Sequence, residues 1–287
     1  MTNVSSPPAP EAQRTALTII LAVSGAHLLN DLLQFLLPAL YPMLKETYGL
    51  SYLQIGLLTL GQQITACLLQ PLFGLSGDLK PKPYWLAISM MIVALGVAAL
   101  AAASGFWMLF IAAVIVGTGS ALFPEASRVA RMASGGRLGF AQSLFQVGGN
   151  AGTALGPPAA AFILLPLGQS SVFYFLAVAA LGVVLLSYVG RWYAEHQRQA
   201  ASRPKAAIAK PALSRQRLMV AFVVIGALLL SKFIYIEGLK SYYAFFLIEK
   251  FQLSAQEAQF YLFAFLGAVA AGTFFGGPIG DRYGRLA

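Results

Sequence analysis

Charge is scarce in this sequence. Asp, Glu, Lys and Arg make up 10% of its 287 residues, hydrophobic residues make up 58%, and the mean hydropathy is +0.73. About 25% charged residues is usual for a soluble domain, so the composition places the chain in a bilayer. Cysteine is nearly absent: Cys67 stands alone, which excludes an intramolecular disulfide, and its place in an apolar run reads as that of a small packed residue. With two histidines there is no His-Glu-x-x-His zinc site and no Cys2His2 cluster; an Asp-rich diphosphate site and a Gly-x-x-x-x-Gly-Lys-Ser loop are missing too. These absences argue against a membrane enzyme, against a metal or any other cofactor, and against ATP as energy source. Residues 1–14 contain Pro7, Pro8, Pro10, Glu11 and Arg14 and lack the parts of a signal peptide, so they read as a disordered cytoplasmic tail.

Apolar runs are what the sequence has in abundance. They cover 15–42, 52–75, 84–104, 106–132, 138–166, 171–190, 218–247 and 255–279, and each reaches about the 20 residues that a helix needs to cross a bilayer. Stretches such as "MMIVALGVAALAAA" (90–103) do not alternate apolar with polar residues, which excludes a β-barrel. The fold class is an all-α polytopic membrane protein with eight spans.

The net charge of +9 could suggest nucleic acid, but the positions of the cations argue otherwise. Arg14, Lys80, Lys82, Arg128, Arg131, Arg137, seven residues within 191–217, Arg282 and Arg285 all fall at one set of alternate helix ends, and the opposite ends hold Lys45 and Lys250. This is the positive-inside asymmetry, and it puts the N-terminus in the cytoplasm. No nucleic-acid partner is expected. The bilayer is.

Residues 191–217, "RWYAEHQRQAASRPKAAIAKPALSRQR", form the one long polar interval. They divide a six-helix N-terminal half (15–190) from the start of a C-terminal half (218–287), and their charge also suits anionic lipid headgroups. A shift of 203 residues aligns Leu50-Ser51 with Leu253-Ser254, Gln54 with Glu257, Gly74 with Gly277, Gly77-Asp78 with Gly280-Asp281, and Lys82 with Arg285, without a gap. Each copy reads as a helix followed by a cytoplasmic Gly-x-x-Gly-Asp turn with basic residues. Six spans separate the copies, so both have the same orientation, as in transporters built from parallel repeats.

These loops, near-intact at 277–285 and degenerate at 74–82, resemble a signature of the major facilitator superfamily. "SGAHLLND" (24–31), "SRVARMASGGRLGFAQSLFQVGGNAGTALGP" (127–157) and "SKFIY" (231–235) are more specific and resemble the fosmidomycin resistance family of drug exporters within it. The resemblance runs from about residue 16 to the end. It implies a two-half bundle in a bacterial inner membrane, with helices one and seven on the cavity wall. The family reads Phe-His-Pro-Glu where this chain has "LFPE" (122–125); a one-residue deletion turns the helix beyond it by about 100°. The family also has twelve helices, so the chain is expected to be truncated after its eighth.

Ionisable groups inside a bilayer are costly and are functional candidates. At 1.5 Å per residue, His27 lies roughly 16 Å, Asp31 roughly 22 Å and Lys232 roughly 21 Å from the cytoplasmic face of a core about 30 Å thick. Under the repeat, Asp31 corresponds to Ile234 and Lys232 to Leu29, nearly equivalent turns. With the cavity wall that the resemblance implies, Asp31 and Lys232 are expected to pair across the cavity, and His27, Asp31 and Gln34 share one helix face. An anionic substrate that takes Lys232 leaves a carboxylate that accepts a proton, because loss of hydration disfavours its charged form. The expected function is proton-coupled efflux of fosmidomycin-like anionic drugs or other small molecules. A static ion pair, or a transport-incompetent fragment needing helices from a separate chain, is the alternative.

Several of the remaining candidates have two readings. Glu125 and Arg128 suit a gate or an interfacial salt bridge, Arg131 and Arg137 are topogenic charges, and Glu237 and Lys240 read as an interfacial pair at the outer end. Gln142, Gln146 and Asn150 suit substrate hydrogen bonding or helix–helix bonding. Gly148, Gly152 and Gly156, followed by Pro157 and Pro158, suit close packing and a bend; Gly152-x-x-x-Gly156-Pro157 also resembles the core of an antiporter signature. Gly74, Gly77, Asp78, Gly277, Gly280, Asp281, Arg282 and Arg285 are expected as gate elements.

Overall fold

The computed structural model describes residues 16–79, 82–201 and 214–283; at 78–79, 199–201 and 276–283 it describes the backbone only. Among the described residues, eight helices are long and apolar enough to cross a membrane. They are α1 (Leu17–Tyr48), α2 (Tyr52–Leu79), α3 (Trp85–Ala102), α4 (Phe106–Met132), α5 (Leu138–Leu167), α6 (Gln169–Arg198), α7 (Arg215–Phe251) and α8 (Ala255–Tyr283). The expected tail at 1–14 lies outside the described residues. The linker expected at 191–217 is helical at both ends, since α6 continues as helix to Ala201 and α7 starts at Arg215.

In hydrocarbon, apolar side chains gain nothing by leaving lipid for protein, so close packing and hydrogen bonds between helices must hold the bundle. α1 is the central element; Ile20, Leu33, Leu36, Leu37, Leu40, Tyr41 and Leu44 are buried along it. Its main partner is α5, whose Gly148 and Gly152 lie directly against the main chain of Ser24 and Leu28, and whose Gly156 lies against the Phe35 ring. No other residue type allows that approach, since a Cβ would sit inside the facing backbone. Ser24 Oγ adds a 2.7 Å bond to Leu144 O.

Prolines interrupt several helices of the bundle, and beside those of α1 and α5 glutamines supply donors to three carbonyls. Pro38 lacks the N–H that would bond Gln34 O, and Gln62 Nε2 on α2 donates to that oxygen at 3.2 Å. In α5 the helix runs through Pro157 and Pro158 and then widens into a π turn, Ala160–Leu164, in which Leu165 N–H bonds Ala160 O. The next bond of that pattern would need an N–H from Pro166, so Ala161 O is left over; Gln256 Nε2 on α8 supplies it at 3.2 Å. Gln259, fully buried, reaches Ala39 O at 3.0 Å in the turn that Pro38 and Pro42 loosen. Backbone groups freed within a membrane require such partners.

The 203-residue repeat shows in local geometry. Gly49 and Gln252, one repeat apart, both close the preceding helix in the left-handed conformation, at φ 61° and 54°. Ser51 and Gln54 then form a capping box (Ser51 N–H to Gln54 Oε1 2.9 Å, Gln54 N–H to Ser51 Oγ 3.2 Å), and Ser254 and Glu257 form its counterpart at 2.8 and 3.2 Å.

Three expectations are corrected. Gly74 and Gly77, like Gly277 and Gly280, lie in helical backbone and not in turns: Gly77 needs no positive φ, and its lack of a side chain is used instead to admit the Glu125 carboxylate. Cys67 is exposed rather than packed. α4 is not continuous: residues 121–123 form a tight turn, with Phe123 N–H bonding Ser120 O at 3.0 Å, and Pro124, with no N–H to extend the helix, opens a new segment, Pro124–Met132.

The repair of Pro38 can be tested by a double-mutant cycle. Gln62→Leu should lower the unfolding free energy in lipid micelles by about 1 kcal/mol, and most of that loss should vanish when Pro38→Ala returns an N–H to Gln34 O. An equal loss in both backgrounds would show that the glutamine does something else.

Candidate functional site

The α1–α5 seam that glycine creates also carries the most elaborate polar cluster within the spans. On α1, His27 Nε2 stands 3.4 Å from Asp31 Oδ2. Asp31 Oδ1 accepts from Asn30 Nδ2 at 3.0 Å and from Gln34 Nε2 at 3.3 Å. His27 Nδ1 lies 2.8 Å from Phe145 O of α5, and its ring stacks on Phe145 and Phe123 at centroid distances of 4.1 and 5.3 Å. Spacings of three and four along α1 put His27, Asp31 and Gln34 on one face, as expected; Asn30, which the spacing did not select, joins them from the neighbouring position. His27 and Asp31 keep 13% and 23% of their side-chain surface exposed, enough for access by water or a small molecule.

Lys232 does not join this cluster. It is exposed on the first half of α7, where residues 215–235 are almost all uncovered, and it has no ion pair among the described residues. The charges of α7 that reach Asp31 are those of Lys240 and Glu237. These two form an ion pair at 2.9 Å, as expected, on a half-buried section of the helix. Next to them, Ser241 Oγ bonds Thr59 Oγ1 at 3.1 Å, and Thr59 Oγ1 meets the buried Tyr41 hydroxyl at 2.8 Å. The second half of α7 thereby docks on α1 and α2, with Tyr52 bonded to Glu249 and the Lys45 ammonium 4.8 Å from the Tyr52 ring centre.

The amides of α5 divide. Gln142 exchanges two bonds with Ser127 of α4, at 2.9 and 3.0 Å, and Asn150 donates to Thr273 of α8 at 2.8 Å, so both serve helix–helix bonding. Gln146 is exposed between them.

At the basic end of the bundle, Glu125 accepts from Arg128 Nη1 at 3.2 Å and from the Tyr193 hydroxyl of α6 at 2.9 Å, while Gly77 of α2 lies against its carboxylate. This ties α2, α4 and α6 at one acidic side chain, beside a cavity lined by Gly74, Trp85, Pro124, Glu125, Arg128 and Arg131. The backbone at Asp78, Asp281 and Arg282 is helical, and their side chains, like the whole of Arg285, lie outside the described residues.

Comparison with known proteins agrees with this architecture. The chain is 48% identical over 273 residues to the fosmidomycin resistance protein of Escherichia coli (strain K12), covering 95% of this chain and 67% of that protein. It is 36% identical over 275 residues to the uncharacterized MFS-type transporter YfnC of Bacillus subtilis (strain 168), covering 94% and 67%. A crystal structure of a bacterial homologue of the human lysosomal transporter Spinster, inward-facing and unoccupied, matches with a TM-score of 0.69 at 19% identity, over 99% of this chain and 65% of that one. The chain thus spans about two thirds of the length of these relatives. The model of the Major Facilitator Superfamily matches residues 23–287. With eight membrane-crossing helices and a match that runs through all of them, the chain belongs to the Major Facilitator Superfamily, whose members are transporters and not enzymes.

Proposed function

We propose that this protein acts in proton-coupled export of small anionic drugs of the fosmidomycin type across a bacterial inner membrane, its N-terminus in the cytoplasm. The observation that carries the reading is the His27–Asp31 cluster: two titratable groups in contact, deep in a span, hydrogen-bonded and partly exposed. Such groups are expensive in a membrane and are kept for ion or substrate movement. The 48% identical relative named for fosmidomycin resistance supports the substrate class.

In this reading Asp31 and His27 take and release the proton, and Gln34 both holds Asp31 and faces the substrate path. Lys232 supplies the cation for the substrate, with Gln146 as an amide partner; the bonding of Gln142 and Asn150 leaves them to shape the wall. Glu125 and Arg128, with Gly74, Gly77 and Asp78 and their repeat partners at 277–285, form the cytoplasmic gate between two halves joined by the basic linker. The second half of α7 is docked on α1 and α2 at the end away from most of the basic residues.

Two substitutions test the roles. Asp31→Asn should abolish proton movement driven by fosmidomycin in vesicles while leaving the protein in the membrane; movement that persists at the wild-type level would remove Asp31 from the mechanism. Lys232→Gln should raise the half-saturating drug concentration about tenfold, or about 1.4 kcal/mol, with little change in maximal rate. An unaltered concentration dependence would assign the cation elsewhere, and Lys240→Gln is the comparison.

A further inference from the structure

We infer that His27 and Asp31 form a seat for a single proton, with Phe145 fixing the imidazole tautomer and Gly149 as the positioning residue that leaves room for the pair. This rests on the reading of the cluster as the coupling site. A carbonyl oxygen can only accept, so the 2.8 Å contact of His27 Nδ1 with Phe145 O puts a hydrogen on Nδ1. Nε2 is then the nitrogen that gains and loses a proton, and it is the one that faces Asp31 Oδ2 at 3.4 Å. On the carboxylate, Oδ1 is taken by the amides of Asn30 and Gln34. The gap between Nε2 and Oδ2 therefore holds one proton, bonded to either atom, or none. With none, two lone pairs face each other and the contact between the two side chains repels. A proton from the aqueous side binds Nε2 or Oδ2 and leaves by the same atoms, so no other bond changes. The charged groups facing Asp31 from other helices are Lys240 and Glu237 of α7, which are paired with each other. α4 and α5 present Phe123, Phe145 and Gly149, which do not titrate.

Gly149 differs from the other glycines of the seam. A methyl group at Gly148 or Gly152 would strike main-chain atoms of Ser24 or Leu28, which cannot give way. At Gly149 the three nearest atoms it would meet are at the far ends of side chains, His27 Cε1 at 2.5 Å, His27 Nε2 at 2.6 Å and Asp31 Oδ2 at 2.8 Å. Gly149→Ala is thus expected to fold and to push imidazole and carboxylate apart.

The test uses the full chain, labelled with 15N-histidine, in lipid nanodiscs. The sequence has two histidines, so His27 is assigned by its loss in His27→Gln, and His196 serves as internal control. Neutral His27 should be in the Nδ1–H form. Asp31→Asn should move its Nε2 resonance, and the same substitution added to Gly149→Ala should leave that resonance where Gly149→Ala alone has put it, with His196 constant throughout. A neutral Nε2–H form, or an equal Asp31→Asn shift with alanine at 149, would overturn the proposal. If Gly149→Ala does not fold, the absence of any Asp31→Asn shift in the Gly149 protein overturns it. Vesicle proton movement that ignores Asp31→Asn would instead remove the coupling reading and leave the proton seat to be judged by these spectra.

Discussion

The direct contact of two helix backbones, α1 and α5, is the constraint on which the rest depends. Gly148 and Gly152 bring α5 onto the main chain of Ser24 and Leu28, and only at that separation can His27 reach Phe145 O while its ring stacks on Phe145. A seam built of larger residues would hold the helices apart and leave the imidazole nitrogen to find water. The polar cluster is therefore a product of small-residue packing. In a bilayer this is also an economical way to hold helices, since dispersion and hydrogen bonds act between them and the hydrophobic effect does not.

Prolines stand against this rigidity. Pro38 and Pro42 in α1 and Pro157, Pro158 and Pro166 in α5 fall on the two helices of the seam, and each removes a donor from the backbone. Gln62, Gln256 and Gln259 answer from α2 and α8. The consequence is that α8 is held to α1 and α5 by amide-to-carbonyl bonds as well as by apolar packing, since Leu262 and Leu266 are buried in the same core. Interhelical bonds of this kind average well under 2 kcal/mol each in membranes.

Much of this was legible in the sequence. Run length located all eight spans, since a bilayer permits few other solutions, and α1, α6 and α7 proved longer than their apolar cores because helices continue past the hydrocarbon. His27, Asp31 and Gln34 were found by helical spacing. Asn30 was not, because a residue adjacent in sequence normally points elsewhere, and its short amide reaches Asp31 only from a neighbouring turn position. The expected meeting of Asp31 with Lys232 used depth, the repeat and the cavity wall that the resemblance implies; these give the level and the helix but not the azimuth of a side chain, and it is Lys240 and Glu237 of α7 whose charges reach Asp31. Gly149 was hidden behind the Gly148, Gly152 and Gly156 stripe, although the doubled glycine at 148–149 is a signal that two faces of one helix need space. The glutamine partners could have been sought at each in-helix proline.

The second segment of α4 carries Glu125, which meets Arg128, Tyr193 and Gly77, while Phe123 just before it stacks on His27. The tight turn at residues 121–123 makes this feasible: it separates α4 into two segments whose azimuths are set independently, the first by its packing on α2 and α3, the second by the Glu125 and Ser127 contacts. A proline at the first position of the second segment fits the same logic, because the N–H it lacks would have had no partner there. The break in α4 thus joins the two sites physically. Phe123 on one side stacks on the His27 imidazole, and two residues later Glu125 accepts from Arg128 and Tyr193 at the basic end.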